Sequence, residues 1–206
     1  MKVLLVNGGP HEKGCTYTAL KEVEKTLNEE GIDTEIFWLG IQPIVGCRGC
    51  RACAKLGKCV VNDVVNEFTA KAKEADGFIF GSPVHYAGAS GAITSFMDRA
   101  FYSAKSAFRY KPASAIISAR RAGTTATYDQ LNKYFGITEM PIISSRYWNM
   151  VHGSTPEDVL KDEEGMQVMR ILGRNMAYYL KCIEAGKEKG IEMPKQEEIR
   201  MTNFIR

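Results

Sequence analysis

The stretch Lys2-Val3-Leu4-Leu5-Val6-Asn7-Gly8-Gly9-Pro10 opens the chain with an apolar run that stops at two glycines. An unbroken apolar run, rather than an alternating one, is what a strand covered on both faces of a parallel sheet requires. Thr16 to Glu30 follows, with Leu20, Val23, Glu24 and Leu27 at helical spacing and Gly31 as the stop. A buried strand leading through a glycine turn into a helix is the first half of a βαβ unit.

The alternation continues. Thr34–Leu39, Gly77–Gly81, Ala113–Ser118 and Met140–Ser144 read as strands two to five. Helices are predicted from Asp63, as cap, to about Ala75, over Gly91–Ser106, and over Thr124–Phe135. A last helix starts at Thr155-Pro156-Glu157, carries Val159, Met169, Leu172, Met176, Tyr179 and Ile183 on one stripe, and ends near Gly186 or Gly190. Five strand–helix alternations predict an α/β protein: a doubly wound, five-stranded parallel sheet in the flavodoxin-like order 2-1-3-4-5, within three α/β/α layers. The stripe on the last helix is expected to serve core and subunit contacts.

The chain has 206 residues, 45% apolar and 25% charged, as expected of one soluble globular domain. We expect that domain over residues 1–190, with a cysteine-rich insertion at 46–62 and a C-terminal tail at 191–206. A net charge of +3 gives no argument for nucleic acid. The run Val3–Val6 is too short for a signal-peptide core or a membrane span, so no membrane role and a cytoplasmic location are expected. Six cysteines in that compartment speak for metal or redox chemistry rather than disulfides.

In such a fold ligands bind beyond the C-terminal ends of the strands, so three loops belong together. Asn7-Gly8-Gly9-Pro10-His11-Glu12-Lys13-Gly14-Cys15-Thr16 offers backbone N–H groups and a helix start for a phosphate, with Thr16 and Thr18 as hydroxyl donors. Its glycine spacing fits neither a Walker loop nor a dinucleotide fingerprint. Ser82-Pro83-Val84-His85-Tyr86-Ala87-Gly88-Ala89-Ser90-Gly91 lets backbone approach a flat ring, with Tyr86 able to stack on it. His85 reads as a hydrogen-bonded structural residue. Ser118-Ala119-Arg120-Arg121-Ala122-Gly123 is polar and positive. From Arg99 to Tyr128 the chain carries Arg99, Lys105, Arg109, Lys111, Arg120 and Arg121 and no acidic residue, an excess that favours an anionic partner.

Cys47, Cys50, Cys53 and Cys59 fall within thirteen residues, separated by two, two and five. Four thiolates this close can wrap one metal centre. The first three spacings match a ferredoxin-type run; the last does not, and valine rather than proline follows Cys59. Zinc sites generally pair cysteines across a longer gap. The sequence therefore leaves a [4Fe–4S] cluster, zinc, and a metal-free surface loop as competing readings. Arg48, Arg51, Lys55 and Lys58 around the run would favour thiolates and an anionic cluster.

Asn7-Gly8-Gly9-Pro10…Gly14-Cys15-Thr16, Gly81 to Gly91 and Phe96-Met97-Asp98-Arg99 resemble the flavodoxin-like NAD(P)H-dependent FMN reductases. The cysteine run resembles that of the iron–sulfur flavoproteins within that family. The resemblance spans roughly residues 1 to 150 and implies FMN, NAD(P)H as substrate, a homodimer or homotetramer, and electron transfer in the cytoplasm. By position, Gly9, His11, Thr16 and Thr18 would hold the FMN phosphate. Pro83, Val84, His85, Tyr86, Ala87 and Gly88 would flank the isoalloxazine ring, and Ser118, Arg120 and Gly123 would close its pyrimidine side. Cys47, Cys50, Cys53 and Cys59 would ligate the cluster. Cys15 stands where the family often has asparagine, as a reactive thiol or as a small residue filling the turn. Tyr86, Tyr147, Trp148 and His152 are candidates for an acceptor pocket, with packing the competing role for Trp148. The expected function is an FMN-dependent oxidoreductase with small-molecule donor and acceptor or a ferredoxin-type carrier, and no acid–base catalytic residue. A flavodoxin-like electron carrier and a cofactor-free interaction domain are the alternatives. The mild basic charge counts against a carrier that docks by acidity.

Overall fold

A computed structural model describes residues 1–202. The chain runs β1 (Lys2–Asn7), α1 (Cys15–Glu29), β2 (Asp33–Trp38), the short α2 (Cys53–Leu56), α3 (Val64–Ala72), β3 (Gly77–His85), β4 (Gly88–Ala89), α4 (Gly91–Ser103), β5 (Ala113–Ala119), α5 (Thr124–Ile137), β6 (Met150–His152), α6 (Pro156–Lys161) and α7 (Glu163–Glu188). The parallel strands lie in the order β2-β1-β3-β5-β6, with β4 folded back antiparallel on β3. This is the expected doubly wound order, with a hairpin added to the third strand.

The strand sequences explain the two-sided burial. Leu4 and Val6 of β1 join Phe78 and Phe80 of β3 in one core, under α3, α4 and α5. Val3, Leu5 and Ile79 point the other way, into a core closed by α1 and α7. Phe68 of α3 centres the first core, with ring centroids 5.0–6.3 Å from Phe37, Phe78, Phe80, Phe96 and Phe108. The stripe on the last helix is split. Met169, Leu172 and Met176 are buried, whereas Tyr179 is exposed.

Two expectations need correction. The fifth strand is Met150–His152 rather than Met140–Ser144. Residues 141–143 touch β5 only at its start, through Ala113 N–H to the Pro141 carbonyl and Ile143 N–H to the Ala113 carbonyl. Pro141 has no N–H to continue a ladder, and the chain loops out before rejoining β5 at Ile117. The last helix is also two helices. Asp162 interrupts it, and its carboxylate accepts Gly165 N–H (2.9 Å) to cap α7. The expected tail begins after α7. Residues 191–202 form no helix or strand, and the rest of it lies outside the described residues.

Edge strand β2 is pinned by charge. Glu35 accepts from Lys2 at 2.6 Å and from Lys71 at 2.8 Å. These two ammonium groups hold its carboxyl below the usual carboxylate range. Its stabilisation is therefore complete above the unfolded pKa of roughly 4.3 and is lost as pH falls through the lower folded value. We expect Glu35→Gln to cost about 0.5–1 kcal/mol near neutrality and to flatten the acid limb of a plot of urea midpoint against pH.

Candidate functional site

The three loops meet at the C-terminal edge of the sheet. Asn7, fully buried at the end of β1, organises the first. Its Oδ1 accepts Gly9 N–H (3.0 Å) and its Nδ2 donates to the Glu12 carbonyl (3.0 Å). Trp38 Nε1 donates to the Gly9 carbonyl (3.0 Å), and Ser90 Oγ to that of Gly8 (3.1 Å). Gly8 N–H reaches the Gly81 carbonyl (2.9 Å), which joins the first loop to the second. Thr16 and Ser118 share a buried 2.8 Å hydroxyl contact that joins the first to the third. An open cleft beside these glycines is lined by Gly8, Gly9, Pro10, Gly40, Ile41, Gln42, His85, Ser90 and Gly91 among others.

Apart from the single-turn α2, the helices differ in how they start. α3, α4, α6 and α7 each begin with a side-chain cap, from Asp63, Ser90, Thr155 and Asp162. α1 and α5 begin at Gly14 and Gly123 with no side-chain cap and no acid in the first turn. Their first N–H groups and positive dipole ends thus stay available to an anion. A phosphate-bearing flavin fits that donor set. His11 and Arg120 are exposed beside it, while the Thr18 hydroxyl donates to the Gly14 carbonyl (3.1 Å). Removing the Asn7 side chain strands a buried N–H, which costs about 1–3 kcal/mol. Asn7→Ala should raise the Kd for FMN about tenfold, measured by fluorescence quenching of added FMN.

The second loop is a tight hairpin. Tyr86 (φ 50°) and Ala87 (φ 59°) both occupy the left-handed region at its tip, between paired His85 and Gly88. A two-residue turn of this kind normally takes Asn-Gly, so the Tyr-Ala tip stores backbone strain. Tyr86 projects wholly into solvent. Pro83 and Val84 are half-buried, and Gln130 Oε1 accepts Ala89 N–H (2.9 Å) to hold the hairpin on α5.

The cysteine segment leaves the cleft at Gly40–Gln42 and turns through Gly49 (φ 63°) and Arg51 (φ 57°). Cys47, Cys50, Cys53 and Cys59 all line one recess, with Arg48, Arg51, Arg99 and Tyr102 among its other walls and, among the described residues, no carboxylate. Among the described residues, no three His, Cys, Asp or Glu side chains are gathered closely enough for a single metal ion. Asn66 grips Cys59 from both sides, its Oδ1 accepting Cys59 N–H (3.0 Å) and its Nδ2 donating to the Cys59 carbonyl (2.9 Å).

Residues 1–155 match the family described as NADPH-dependent FMN reductase. An iron–sulfur flavoprotein of Methanocaldococcus jannaschii is 33% identical over 89% of this chain and all of its own length. The chain belongs to the NADPH-dependent FMN reductase family and, within it, to the iron–sulfur flavoproteins. An iron–sulfur flavoprotein of Methanosarcina thermophila is 21% identical over 92% of the chain and all of its own. In fold the chain resembles the NAD(P)H:quinone oxidoreductase of Methanothermobacter marburgensis, at TM-score 0.65 and 18% identity, covering 85% of this chain and 96% of that one.

Against this family background the structure sorts the sequence candidates. Burial, with Asp158 and Glu157 adding to it, pushes the Cys15 thiol up despite its helix-start backbone N–H. Its Sγ faces the Gly153 carbonyl at 3.8 Å. Both observations fit the reading of Cys15 as a small residue of the turn better than that of an activated thiol. Half of the basic excess over 99–128 is spent on partners within the fold. Arg99 pairs with Asp63, Arg109 with Glu139, and Lys111 donates to the Ala72 and Lys73 carbonyls at the end of α3. Arg120 and Arg121 remain exposed at the third loop. Tyr147 and Trp148 stack edge to face at 4.8 Å and are half-exposed. His152 ends β6 beside Ala119, half-exposed and 3.8 Å from Asp162.

Asn7, Asn66 and the clamp made by Arg99 were not singled out as site residues by the sequence. Asn7 carries a local signal, an amide immediately before paired glycines at a strand end. Asn66 carries none, since its partner Cys59 lies seven residues away in an irregular segment. Arg99 follows Phe96 by one helical turn, beside the buried face of α4, and a charge there implies a partner.

Proposed function

We propose that this protein is an FMN-dependent oxidoreductase that takes electrons from NADPH or NADH, or from a reduced carrier, and passes them through a cysteine-held centre to an acceptor. The observation that carries this reading is one segment, 40–62, that lines the anion-ready cleft at its start and the four-cysteine recess further on. FMN in the cleft would supply hydride acceptance and single-electron release, and a [4Fe–4S] cluster on Cys47, Cys50, Cys53 and Cys59 a one-electron relay.

The chain's own groups bind and orient. The free N–H groups of α1 and α5, with Gly9, His11, Thr16 and Thr18, provide the phosphate side. Pro83 to Gly88 provide a wall for a flat ring, and Ser118, Arg120 and Gly123 the third side. A recess of four thiols without a carboxylate among its described walls suits a thiolate-rich, anionic group, with Arg48 and Arg51 opposing its charge and Arg99 donating an N–H to Cys59. Four sulfurs spread around one recess suit a centre of several irons, which places each thiolate on its own metal, better than one tetrahedral ion. We further infer one functional domain over 1–190 with 46–62 as its insertion, acting as a homodimer or homotetramer in the cytoplasm. Among the described residues no helix is long and apolar enough to cross a membrane.

The test is an absorbance spectrum of anaerobically purified protein, with iron and acid-labile sulfide assayed on the same sample and NADPH and NADH oxidation followed. Flavin bands with about four irons per chain are expected. Cys50→Ser should lose the iron and keep the flavin. A colourless protein that takes up neither FMN nor iron would sink the reading.

A further inference from the structure

Among the described residues Arg99 is the bulkiest side chain that is fully buried, 2% exposed. Its guanidinium makes five hydrogen bonds. Nη1 and Nη2 form a fork on the Asp63 carboxylate at 2.6 and 2.8 Å. Nη1 also reaches the Val45 carbonyl (3.3 Å) and Nη2 that of Val61 (2.9 Å). Nε donates to Cys59 Sγ at 3.3 Å. Val45 and Val61 flank the cysteine run on either side, so one side chain closes the neck of the segment and touches one of its sulfurs. Because Asp63 balances the cation, what reaches the sulfur is chiefly a directed N–H rather than net charge.

Position adds to this. Arg99 sits on α4, whose first residue Gly91 lines the cleft. Eight residues of helix separate the two, about 12 Å along the axis at 1.5 Å per residue. The helix that borders the cleft therefore also carries the group that grips the recess. Cys47 and Cys50 are exposed, whereas Cys59 is half-buried and held by Asn66 through its backbone and by Arg99 through its sulfur.

We propose that Arg99 is the positioning residue of the cysteine centre: its Nε–H bond presets Cys59 as the fixed corner of the site and raises the reduction potential of a cluster ligated there. This rests on the cluster reading above. A sulfur that accepts a hydrogen bond donates less charge to iron, and the more negative reduced state gains more from that bond than the oxidised state. A lysine keeps a cation for Asp63 but cannot serve the sulfur, both carbonyls and the carboxylate from one fixed fork.

The experiment compares wild type, R99K and D63N, purified without oxygen and checked for full FMN content as evidence of folding. Iron and sulfide are assayed, and the cluster and flavin potentials are read separately by redox titration, the cluster by EPR. R99K should keep FMN at its wild-type potential while the cluster potential moves to a more negative value. If R99K loses iron but keeps FMN and D63N keeps both, the preset corner is equally supported. An unshifted cluster potential in iron-loaded R99K overturns the proposal, as does equal iron loss from R99K and D63N, since the ion pair alone would then hold the loop. Wild-type protein with FMN but no iron or sulfide overturns the cluster reading, and this proposal with it.

Discussion

Replacing Asp63 with asparagine should be among the most destabilising single changes in this protein. Arg99 has a side chain only 1% exposed, and among the described residues Asp63 is its sole carboxylate partner. Asparagine preserves the N-cap of α3, where Oδ1 accepts Val65 N–H at 3.1 Å, so the substitution isolates the lost charge. Leaving a buried guanidinium uncompensated costs about 3–5 kcal/mol. For a chain of this size that lowers Tm by roughly 10 °C. The reverse change, Arg99→Met, strands a carboxylate that is 26% exposed and can rehydrate, so it should cost less. The double variant should be more stable than Asp63→Asn alone, because the orphaned cation is gone. Thermal unfolding of the three variants at one fixed FMN concentration checks the order, since bound ligand shifts Tm by mass action. If the single and double variants melt together, the orphaned cation is not what costs Asp63→Asn its stability.

Gly123→Ala should separate the second loop from the third. Gly123 sits at φ 93° at the start of α5, and a Cβ there would lie 2.8 Å from Ala87 Cα and 2.9 Å from Val84 Cγ1. The left-handed backbone costs an L-residue about 1–2 kcal/mol, and the overlap about 1–3 kcal/mol more. The neighbours cannot give cheaply, because Ala87 is backbone in an already strained turn and Val84 is pinned in the pairing with Ala89. The hairpin must move away from α5, and with it one wall of the cleft. We expect the Kd for FMN to rise at least about tenfold, which corresponds to 1.4 kcal/mol. Gly136→Ala in the same helix is the control. Beyond its own stretch of helix, no heavy atom of the described residues lies within 4 Å of a Cβ built there, and the change should gain about 0.4–1 kcal/mol of stability with FMN affinity unchanged. Titration of FMN into both variants decides the matter, and equal affinities would show that this contact does not shape the cleft.

The layers of the fold were legible because each is written locally. Val3–Val6, Phe78–Phe80 and Ala115–Ile117 are apolar at every position, and the structure buries both faces of each strand. Asp63 and Thr155 announced helix starts, and both cap as expected. The fifth strand was misplaced because Met140–Ser144 and Met150–His152 are both short and apolar. Choosing between them depends on a missing N–H at Pro141 and on pairing with β5, neither of which periodicity reports. The break at Asp162 was hidden for a similar reason. The helical stripe continues across it, and the bend is fixed by the Asp162 carboxylate, which accepts both the distant His152 N–H at 2.6 Å and the capping Gly165 N–H.

By itself the sequence determined the α/β alternation, the three loops at one sheet edge, and four thiols within thirteen residues, all set by neighbours along the chain. Only the tertiary structure decided which charges are free and which are structural. Arg99, read as part of a basic stretch, is neutralised by Asp63, which precedes it by thirty-six residues. It closes the cysteine segment through carbonyls that composition cannot reveal. Likewise the Thr16 hydroxyl meets Ser118, more than a hundred residues away. A hydrogen bond between distant residues leaves no trace in local pattern, because backbone propensity and hydrophobic period act over a few residues, whereas pairing is settled when sheet and helices close around the core.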